Sequence, residues 1–179
     1  MNNTVILYRS KYGATAKYVQ MLREALSCDT FELDHYHGRA IGTYDHVIFA
    51  GGIYASGIAG LKDLRKKYNG SDHQNLIIFC VGASPFEEKA LAEIKARNLK
   101  ADWSDVPLFY GRGAWDESKM TLKDRTLCKM LQKAVSKADP NTCEPWMKAL
   151  LSAVGQSCDW TDRAYLVPLL NHLNAGQRK

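Results

Sequence analysis

The sequence lacks the features that would place the chain in a membrane or in the secretory pathway. No apolar run approaches the roughly 18 consecutive residues that a membrane-spanning helix needs. The opening MNNT has no basic segment and runs directly into a strand-like stretch, which is not typical of a secretory signal. We therefore expect a cytoplasmic location.

Cysteines are few, and their spacing does not indicate disulfide pairs or a redox motif. The five cysteines form no C-x-x-C motif, and their odd number is typical of reduced thiols. Cys80 lies in the apolar run LIIFCVG, where we expect it to be a small core residue. A cysteine-based phosphatase loop would carry Arg six residues after its cysteine, but Phe86 stands there. These patterns argue against a disulfide framework and against this class of phosphatase.

Signatures of metal and nucleic-acid binding are missing as well. His35 and His37 alternate after the second predicted strand, but no third ligand accompanies them, so we expect no metal site. The net charge of +5 is mild, no basic run is interleaved with aromatic residues, and no nucleic-acid motif is present. The acidic residues that a phospho-receiver domain needs are replaced by the pairs Arg9-Ser10 and Ala50-Gly51. No catalytic acid or base is identified.

What the chain does contain is an alternation of apolar runs with amphipathic segments. The apolar runs predict strands over residues 4–9, 30–34, 45–50, 75–82 and 106–111. The intervening segments predict helices over residues 14–26, 60–68, 87–98 and 121–137. This alternation predicts an α/β fold, a doubly wound sheet of five parallel strands with helices on both faces.

A single domain is expected over residues 1–179, with a core at about 4–137 and a helical C-terminal extension at about 143–174. The stretch KADPNTCEPW contains two prolines and is predicted to link the two parts. One helical tail is predicted to follow, from Trp146 to Leu173.

The loop after the first strand combines hydroxyl and small residues directly before a helix. Its residues are Ser10, Lys11, Tyr12, Gly13, Ala14 and Thr15. A helix N-terminus offers free N–H donors and the positive end of a dipole, so a phosphate fits there. Plain helix capping by Ser10 is the alternative interpretation. The loop has neither the Gly-Lys-Ser/Thr of a Walker loop nor the G-x-G-x-x-G of a dinucleotide fingerprint.

Two further loops are rich in small residues. The loop after the third strand comprises Gly51, Gly52, Ile53, Tyr54, Ala55, Ser56 and Gly57, and the loop after the fourth comprises Val81, Gly82, Ala83 and Ser84. Glycines let a planar ligand lie against backbone and permit peptide flips, and Tyr54 can stack on an aromatic ring. A flexible loop with a surface tyrosine is the alternative. Because ligands of such sheets bind at the carboxyl ends of the strands, the three loops predict a slot for a phosphorylated flat ring system.

The three loops resemble those of the flavodoxin-like family, and the resemblance covers about residues 4–137. The phosphate loop of that family reads Thr/Ser-x-Thr-Gly-x-Thr. Ser10, Gly13 and Thr15 match it, whereas Tyr12 replaces the usual hydroxyl residue. The resemblance implies the strand order 2-1-3-4-5, FMN as the cofactor, and electron transfer with a redox partner protein.

The same resemblance implies roles for backbone groups of the second and third loops. A carbonyl in the region of Gly51 and Gly52 is expected to flip towards the flavin. The N–H groups of Gly82 and Ala83 are expected to face the polar edge of the flavin ring.

The blocks SKYGAT, GGIYASG, FYGRGAW and DWTDRAYLVPLLNHL resemble a narrower branch, which contains bacterial flavodoxin-type protoporphyrinogen dehydrogenases. In that branch a strand ending in Gly-Arg precedes a basic amphipathic helix and a Trp-bearing tail, as at Arg112, residues 119–137 and Trp160. The long insertion that those dehydrogenases carry after the fourth strand has no counterpart between Gly82 and Glu87. This resemblance implies an FMN-dependent oxidoreductase that passes electrons from a small or tetrapyrrole substrate to a quinone. A cofactor-free interaction domain is a third alternative, suggested by Tyr12.

Other side chains have two interpretations each. Arg112 can meet a carboxylate or the flavin, but a surface arginine is expected, and Trp115 and Trp160 are expected to be packing residues. Two repeats run along the last predicted core helix, namely Lys129, Lys133 and Lys137, and Leu127, Met130, Leu131 and Ala134. We expect the apolar repeat to pack on the core and the lysines to be solvated. Peripheral docking of this helix on an anionic membrane is the alternative.

Overall fold

A parallel sheet forms the centre of the computed structural model, which describes residues 3–38, 40–68, 73–137, 139 and 142–176. Its strands are β1 Thr4–Arg9, β2 Cys28–Glu32, β3 His46–Tyr54, β5 Leu76–Gly82 and β6 Leu108–Arg112. Within these ranges the five strands run parallel in the order β2-β1-β3-β5-β6, and the short β4, Gly57–Ile58, pairs antiparallel with the end of β3. The α/β fold and the order 2-1-3-4-5 are confirmed, since β5 and β6 are the predicted fourth and fifth strands.

Helices cover both faces of the sheet. The helices α1, Ala14–Ala25, and α6, Val167–Gly176, pack on one face, and α2, Leu61–Tyr68, and α3, Glu88–Asn98, pack on the other. Successive residues of a strand point to opposite faces, so Ile77 of β5 is buried on the face covered by α1 and α6, and Ile78 on the face covered by α2 and α3. Both faces are covered, which is why β5 is an uninterrupted apolar run.

Two strands, β2 and β3, differ most from their predicted bounds, and β6 begins two residues later than predicted, at Leu108. β2 begins two residues earlier than predicted, at Cys28, because its register is set by pairing with β1, where Cys28 lies opposite Thr4. The sequence CDTFE is only half-buried at this sheet edge, so its hydrophobic pattern is weak. β3 continues past the predicted end at Ala50 as far as Tyr54, since its last residues pair with β4.

The predicted tail helix from Trp146 to Leu173 is wrong. The helix α5, Pro145–Ser152, is followed by a strand β8, Ser157–Asp159, a 3-10 turn at Arg163–Leu166, and α6. Gly155, at φ +70°, reverses the chain after α5, and β8 then pairs antiparallel with β7, Ala114–Asp116. Residues 138, 140 and 141 of the predicted linker lie outside the described residues.

The β7–β8 pairing closes an excursion between the last strand of the sheet and its last helix. The N–H of Trp160 donates to the carbonyl of Gly113 at 3.0 Å, directly beside the pairing of Ala114 with Asp159. The excursion therefore comprises residues 114–159 and carries β7, α5, β8 and a longer helix, α4, Leu122–Val135. The chain returns to the sheet through the 3-10 turn and α6. Leu166 of the turn and Leu169 and Leu173 of α6 are buried in one cluster with residues of α1.

The orientation of α4 is opposite to the predicted one. Leu127, Met130 and Leu131 are 51%, 65% and 44% exposed, so the apolar repeat is not packed on the core. The buried residues of α4 are Asp124, Gln132 and Val135. The lysines of this helix are exposed, as expected. Among the described residues, no helix is long and apolar enough to cross a bilayer.

Candidate functional site

The three loops singled out in the sequence meet at one edge of the sheet. Strand register aligns Arg9 with Gly51, and Gly52 with Val81, so each of the loops leaves the sheet at the same level. The approach is close, because a Cβ added at Gly52 would lie 3.7 Å from the Thr15 hydroxyl oxygen. We call this carboxyl edge, with its three loops, the three-loop edge.

The first loop presents the N-terminus of α1. Gly13 has φ +94°, a left-handed conformation that favours glycine, and a Cβ added there would have nothing within 4 Å. The first N–H groups of a helix have no partner within the helix. One of these, the N–H of Ala16, donates to the hydroxyl oxygen of Ser10 at 3.2 Å, although the N-cap residue itself is Gly13. The N–H groups of Ala14 and Thr15 remain as donors beside the open space at Gly13.

The second loop is a braced hairpin rather than an open glycine loop. Ala55 and Ser56 form a two-residue turn between paired Tyr54 and Gly57, with φ +46° and +64°. Positive φ at both central residues is the mark of a type I′ turn, which usually contains Asn and Gly. The side chain of Asn98 accepts from the N–H of Ile58 at 3.0 Å and donates to the carbonyl of Ser56 at 2.9 Å. The end of α3 therefore holds the hairpin.

The backbone flip expected at Gly51 and Gly52 is not supported by this geometry. Both residues lie within β3 and pair with β5, opposite Cys80 and Val81. The carbonyl of Gly52 also accepts from the N–H of Ala59 at 2.9 Å. Rotating the peptide would break that bond.

The third loop is held through its carbonyl oxygens. The N–H of Gly113 donates to the carbonyl of Gly82 at 2.7 Å, and the Tyr110 hydroxyl donates to the carbonyl of Ser84 at 2.5 Å. Burial raises the pKa of Tyr110, so its hydroxyl stays protonated and remains a donor. These bonds use carbonyls and leave the N–H of Ala83 available to a ligand, whereas the N–H of Gly82 is used in the pairing of β5 with β6. Gly82 also faces Ile53, whose Cδ1 atom would lie 3.2 Å from an added Cβ.

Arg112 is built into the site and is not the surface arginine that the sequence suggested. Its Nε donates to the carbonyl of Ala83 at 3.1 Å, and its Cζ lies 4.0 Å from the ring centroid of Trp160. Its own carbonyl accepts from the Tyr18 hydroxyl at 2.6 Å, and burial raises the pKa of Tyr18 to about 12. Half-buried and stacked, the guanidinium is fixed at the end of β6, and Trp160 packs as predicted.

A carboxylate from α4 joins the first two loops. Asp124 lies in the first turn of α4, where its N–H donates to the Thr121 hydroxyl at 3.3 Å. Its carboxylate is almost fully buried and accepts hydrogen bonds from the Lys11 ammonium, the Tyr12 hydroxyl and the Tyr54 hydroxyl. We call this group of four residues the Asp124 clasp.

The electrostatics of the Asp124 clasp follow from these donors. The Lys11 bond contributes most, followed by those from Tyr12 and Tyr54, and together they hold the pKa of the carboxyl well below its usual range. In turn the Asp124 bond raises the pKa of Lys11. The Lys11 ammonium also lies 4.7 Å from the centroid of the Tyr54 ring. The carboxylate therefore fixes one cation and two hydroxyls at the three-loop edge.

Sequence reasoning missed the Asp124 clasp and the Asn98 brace. Thr121 followed three residues later by Asp124 is a helix-start pattern, which marks a cap but not a tertiary partner. The partners Lys11 and Tyr54 are 113 and 70 residues away, and no local pattern connects them. In the part of the chain that the structure describes, no group of three or more His, Cys, Asp or Glu residues is arranged to hold a metal.

Comparisons with known proteins point to one family. A family model described as Flavodoxin domain matches residues 5–142. No curated protein matched the chain significantly.

Among solved structures, a flavoprotein from Lactobacillus acidophilus in complex with FMN is 14% identical over 63% of this chain and 93% of its own, with a TM-score of 0.44. The flavodiiron core of Flv1 from Synechocystis is 14% identical over 62% and 29%, with a TM-score of 0.43. A WrbA-like flavodoxin from Agrobacterium tumefaciens is 18% identical over 70% and 88%, with a TM-score of 0.40.

Proposed function

The chain belongs to the flavodoxin domain family, and on that premise we propose that it binds FMN at the three-loop edge and transfers electrons. The observation that carries the proposal is the open N-terminus of α1, where left-handed Gly13 leaves space in front of free N–H groups. The Lys11 ammonium of the same loop is half-exposed and neutralises the Asp124 carboxylate.

The first loop fits the phosphate of FMN. The N–H groups of Ala14 and Thr15 are the donors that an anion needs, and the α1 dipole favours negative charge there. The Ser10 oxygen accepts from Ala16, which leaves its hydroxyl hydrogen to donate to a phosphate oxygen. Because Lys11 is paired with Asp124, the phosphate does not face an uncompensated carboxylate.

The hairpin and the third loop are the walls between which a flat ring would lie. The Tyr54 ring, 43% exposed, is oriented by the bond from its hydroxyl to Asp124. The N–H of Ala83 is proposed to bind the polar edge of the ring; the N–H of Gly82, which was expected to face it too, is paired within the sheet. When bound, FMN supplies the redox chemistry, and the residues of this chain bind and orient it without a catalytic acid or base.

A comparison of FMN with riboflavin tests the phosphate site. In Gly13→Ala, an added Cβ enters the open space and the backbone is strained by roughly 1–2 kcal/mol. We expect affinity for FMN, measured by quenching of flavin fluorescence, to fall about tenfold or more, a loss of about 1.4 kcal/mol or more. Affinity for riboflavin, which has no phosphate, should change much less.

Gly155→Ala is the matched control. Gly155 has φ +70° and nothing within 4 Å of an added Cβ, so the substitution brings the same backbone strain away from the three-loop edge. It should lower stability as Gly13→Ala does but leave both flavin affinities unchanged. A colourless preparation that rejects added FMN would instead favour the cofactor-free interaction domain. Equal losses for FMN and riboflavin in Gly13→Ala would refute the phosphate assignment.

An FMN-dependent oxidoreductase of the protoporphyrinogen dehydrogenase type is the second candidate function. The observation that favours it is Arg112, because Nε uses only one of the five guanidinium donors and the remaining donors can bind a substrate carboxylate. Turnover of a reduced porphyrinogen with a quinone, assayed anaerobically, would support this function. Arg112→Lys should then raise the KM for the carboxylated substrate. Flavin that cycles with a redox partner protein without such turnover would support the electron carrier.

A further inference from the structure

The outward side of α4 carries exposed apolar and basic side chains. The apolar residues are Leu122, Leu127, Met130 and Leu131, and the basic residues are Lys123, Lys129 and Lys133, with Lys137 two residues beyond the end of the helix. We call these eight residues the α4 outer face. Leu122 is 80% exposed, the largest value among the exposed large hydrophobic side chains of the described chain. Such a face is the pattern of a helix that lies in a membrane interface.

Specific bonds fix α4 in this orientation. Asp124 is held by the clasp on the inward side, and the Gln132 side chain donates to the Glu117 carboxylate at 3.0 Å. Arg125 donates to the carbonyl of Glu117 at 2.9 Å. Rotating the helix to bury Leu127 and Met130 would break these bonds and expose Val135. The apolar side chains are therefore directed outwards by the fold itself.

The charge of this segment is one-sided. Between Lys119 and Lys137 the sequence has six basic residues and one acidic residue, an excess equal to the net charge of +5 of the whole chain. The single acidic residue is Asp124, which is buried and paired with Lys11. The outer face consequently presents cations and no anion. On α2 and α3, by contrast, Asp63, Glu88 and Glu93 are interspersed with the lysines.

We propose that the α4 outer face docks on the surface of an anionic lipid bilayer. The leucine and methionine side chains enter the interface, and the lysines contact the headgroup phosphates. A second copy of the chain is a poorer occupant, because a symmetric contact would place the same lysines against one another. Since the Asp124 clasp joins α4 to the first two loops, docking places the three-loop edge next to the bilayer.

Flotation of the full chain, with its flavin as purified, tests the proposal. The probes are vesicles of phosphatidylcholine alone and of phosphatidylcholine mixed with phosphatidylglycerol. We expect binding to the anionic vesicles, weaker at high salt, and little binding to the neutral ones. Each lysine near the membrane surface raises the affinity roughly fivefold. The triple variant Lys129→Gln, Lys133→Gln and Lys137→Gln should therefore bind on the order of 100-fold more weakly.

The apolar variant Leu127→Gln, Met130→Gln and Leu131→Gln should lose about tenfold or more in affinity. The controls change an exposed apolar side chain and three exposed lysines elsewhere on the chain. Val167→Gln removes an exposed apolar side chain at the start of α6. Lys62→Gln, Lys89→Gln and Lys100→Gln remove three exposed lysines on or near α2 and α3. Both controls should bind anionic vesicles nearly as the unaltered chain does.

Three results would overturn the proposal. The first is that anionic vesicles do not retain the unaltered chain, or that neutral vesicles bind it equally well. The second is that the controls lose as much binding as the α4 variants. The third is that light scattering after gel filtration finds a dimer that the apolar variant abolishes, with no vesicle binding, which would assign the face to a second copy. Unchanged melting temperatures and flavin content of the variants confirm that a loss of binding is not a loss of fold.

Discussion

Replacing Ser56 by glycine tests the strained turn that carries Tyr54. Ser56 has φ +64°, where a non-glycine residue costs roughly 1–2 kcal/mol relative to the right-handed region. Glycine relieves that strain, but it loses more backbone entropy on folding, by roughly 0.5–1 kcal/mol. The bond to Asn98 uses the Ser56 carbonyl, which glycine keeps. The net expectation for Ser56→Gly is a gain in the free energy of unfolding of about 0.5–1 kcal/mol.

For a chain of this length, each kcal/mol corresponds to about 2–4 °C in melting temperature, so we expect a rise of about 2 °C. Ser136→Gly is the control with the opposite expected sign. Ser136 has φ −63° at the end of α4, and its hydroxyl donates to the carbonyl of Lys133 at 3.0 Å. Glycine there relieves no strain and removes that bond, so it should lower stability by roughly 0.5–1 kcal/mol.

The measurement is urea denaturation of both variants beside the unaltered chain, followed by fluorescence, with melting temperatures from calorimetry. The result that would refute the reasoning is a destabilised Ser56→Gly variant, or two serine variants that change stability by the same sign and amount. Either outcome would mean that Ser56 does not occupy the left-handed region in solution, and that the hairpin is not a type I′ turn.

Two further predictions concern the residues that tie the loops together. The pKa of the Asp124 carboxyl is lowered in the folded chain, so its charge stabilises the fold above its ordinary pKa of 3.8, and this contribution is lost as the pH falls below that value towards the folded pKa. The difference in urea midpoint between the unaltered chain and Asp124→Asn should be constant from pH 7 to 5 and shrink below about pH 4; a difference independent of pH would contradict the clasp. Asn98→Ala removes the brace and should cost about 1–2 kcal/mol and speed hydrogen exchange at the N–H of Ile58, while Asn98→Asp keeps the acceptor and should protect that N–H better. Equal exchange in the two variants would contradict the brace.

The strands of the sheet could be predicted because the hydrophobic pattern that indicates each strand lies within its own sequence. A strand covered on both faces must be apolar throughout, and β5 shows this directly in the run LIIFCVG. β2 was misplaced by two residues because an edge strand with a half-buried pattern carries a weaker signal. The positions of the three loops followed from the strands, and so did their meeting at one edge.

The orientation of α4 and the structure of the tail depend on tertiary contacts, which the periodicity of the sequence does not reveal. The repeat of α4 predicted an amphipathic helix but not which side faces inwards, since that is decided by the bonds of Asp124 and Gln132 to distant residues. The tail was predicted as one helix because the turn at Gly155 and the pairing of β8 with β7 are tertiary. FMN, the narrower dehydrogenase branch and the cytoplasmic location remain predictions.

The pairing of β7 with β8 has a consequence for how such a chain can diversify. Its two ends lie side by side, with Ala114 opposite Asp159, so everything between them is inserted at a single point of the scaffold. Lengthening, shortening or exchanging that module would leave the sheet and α6 connected. The surface offered to the surroundings can therefore change in evolution or by grafting while the start of α1 at Gly13 stays with the sheet, and the bonds of Asp124 to the first two loops change with the module.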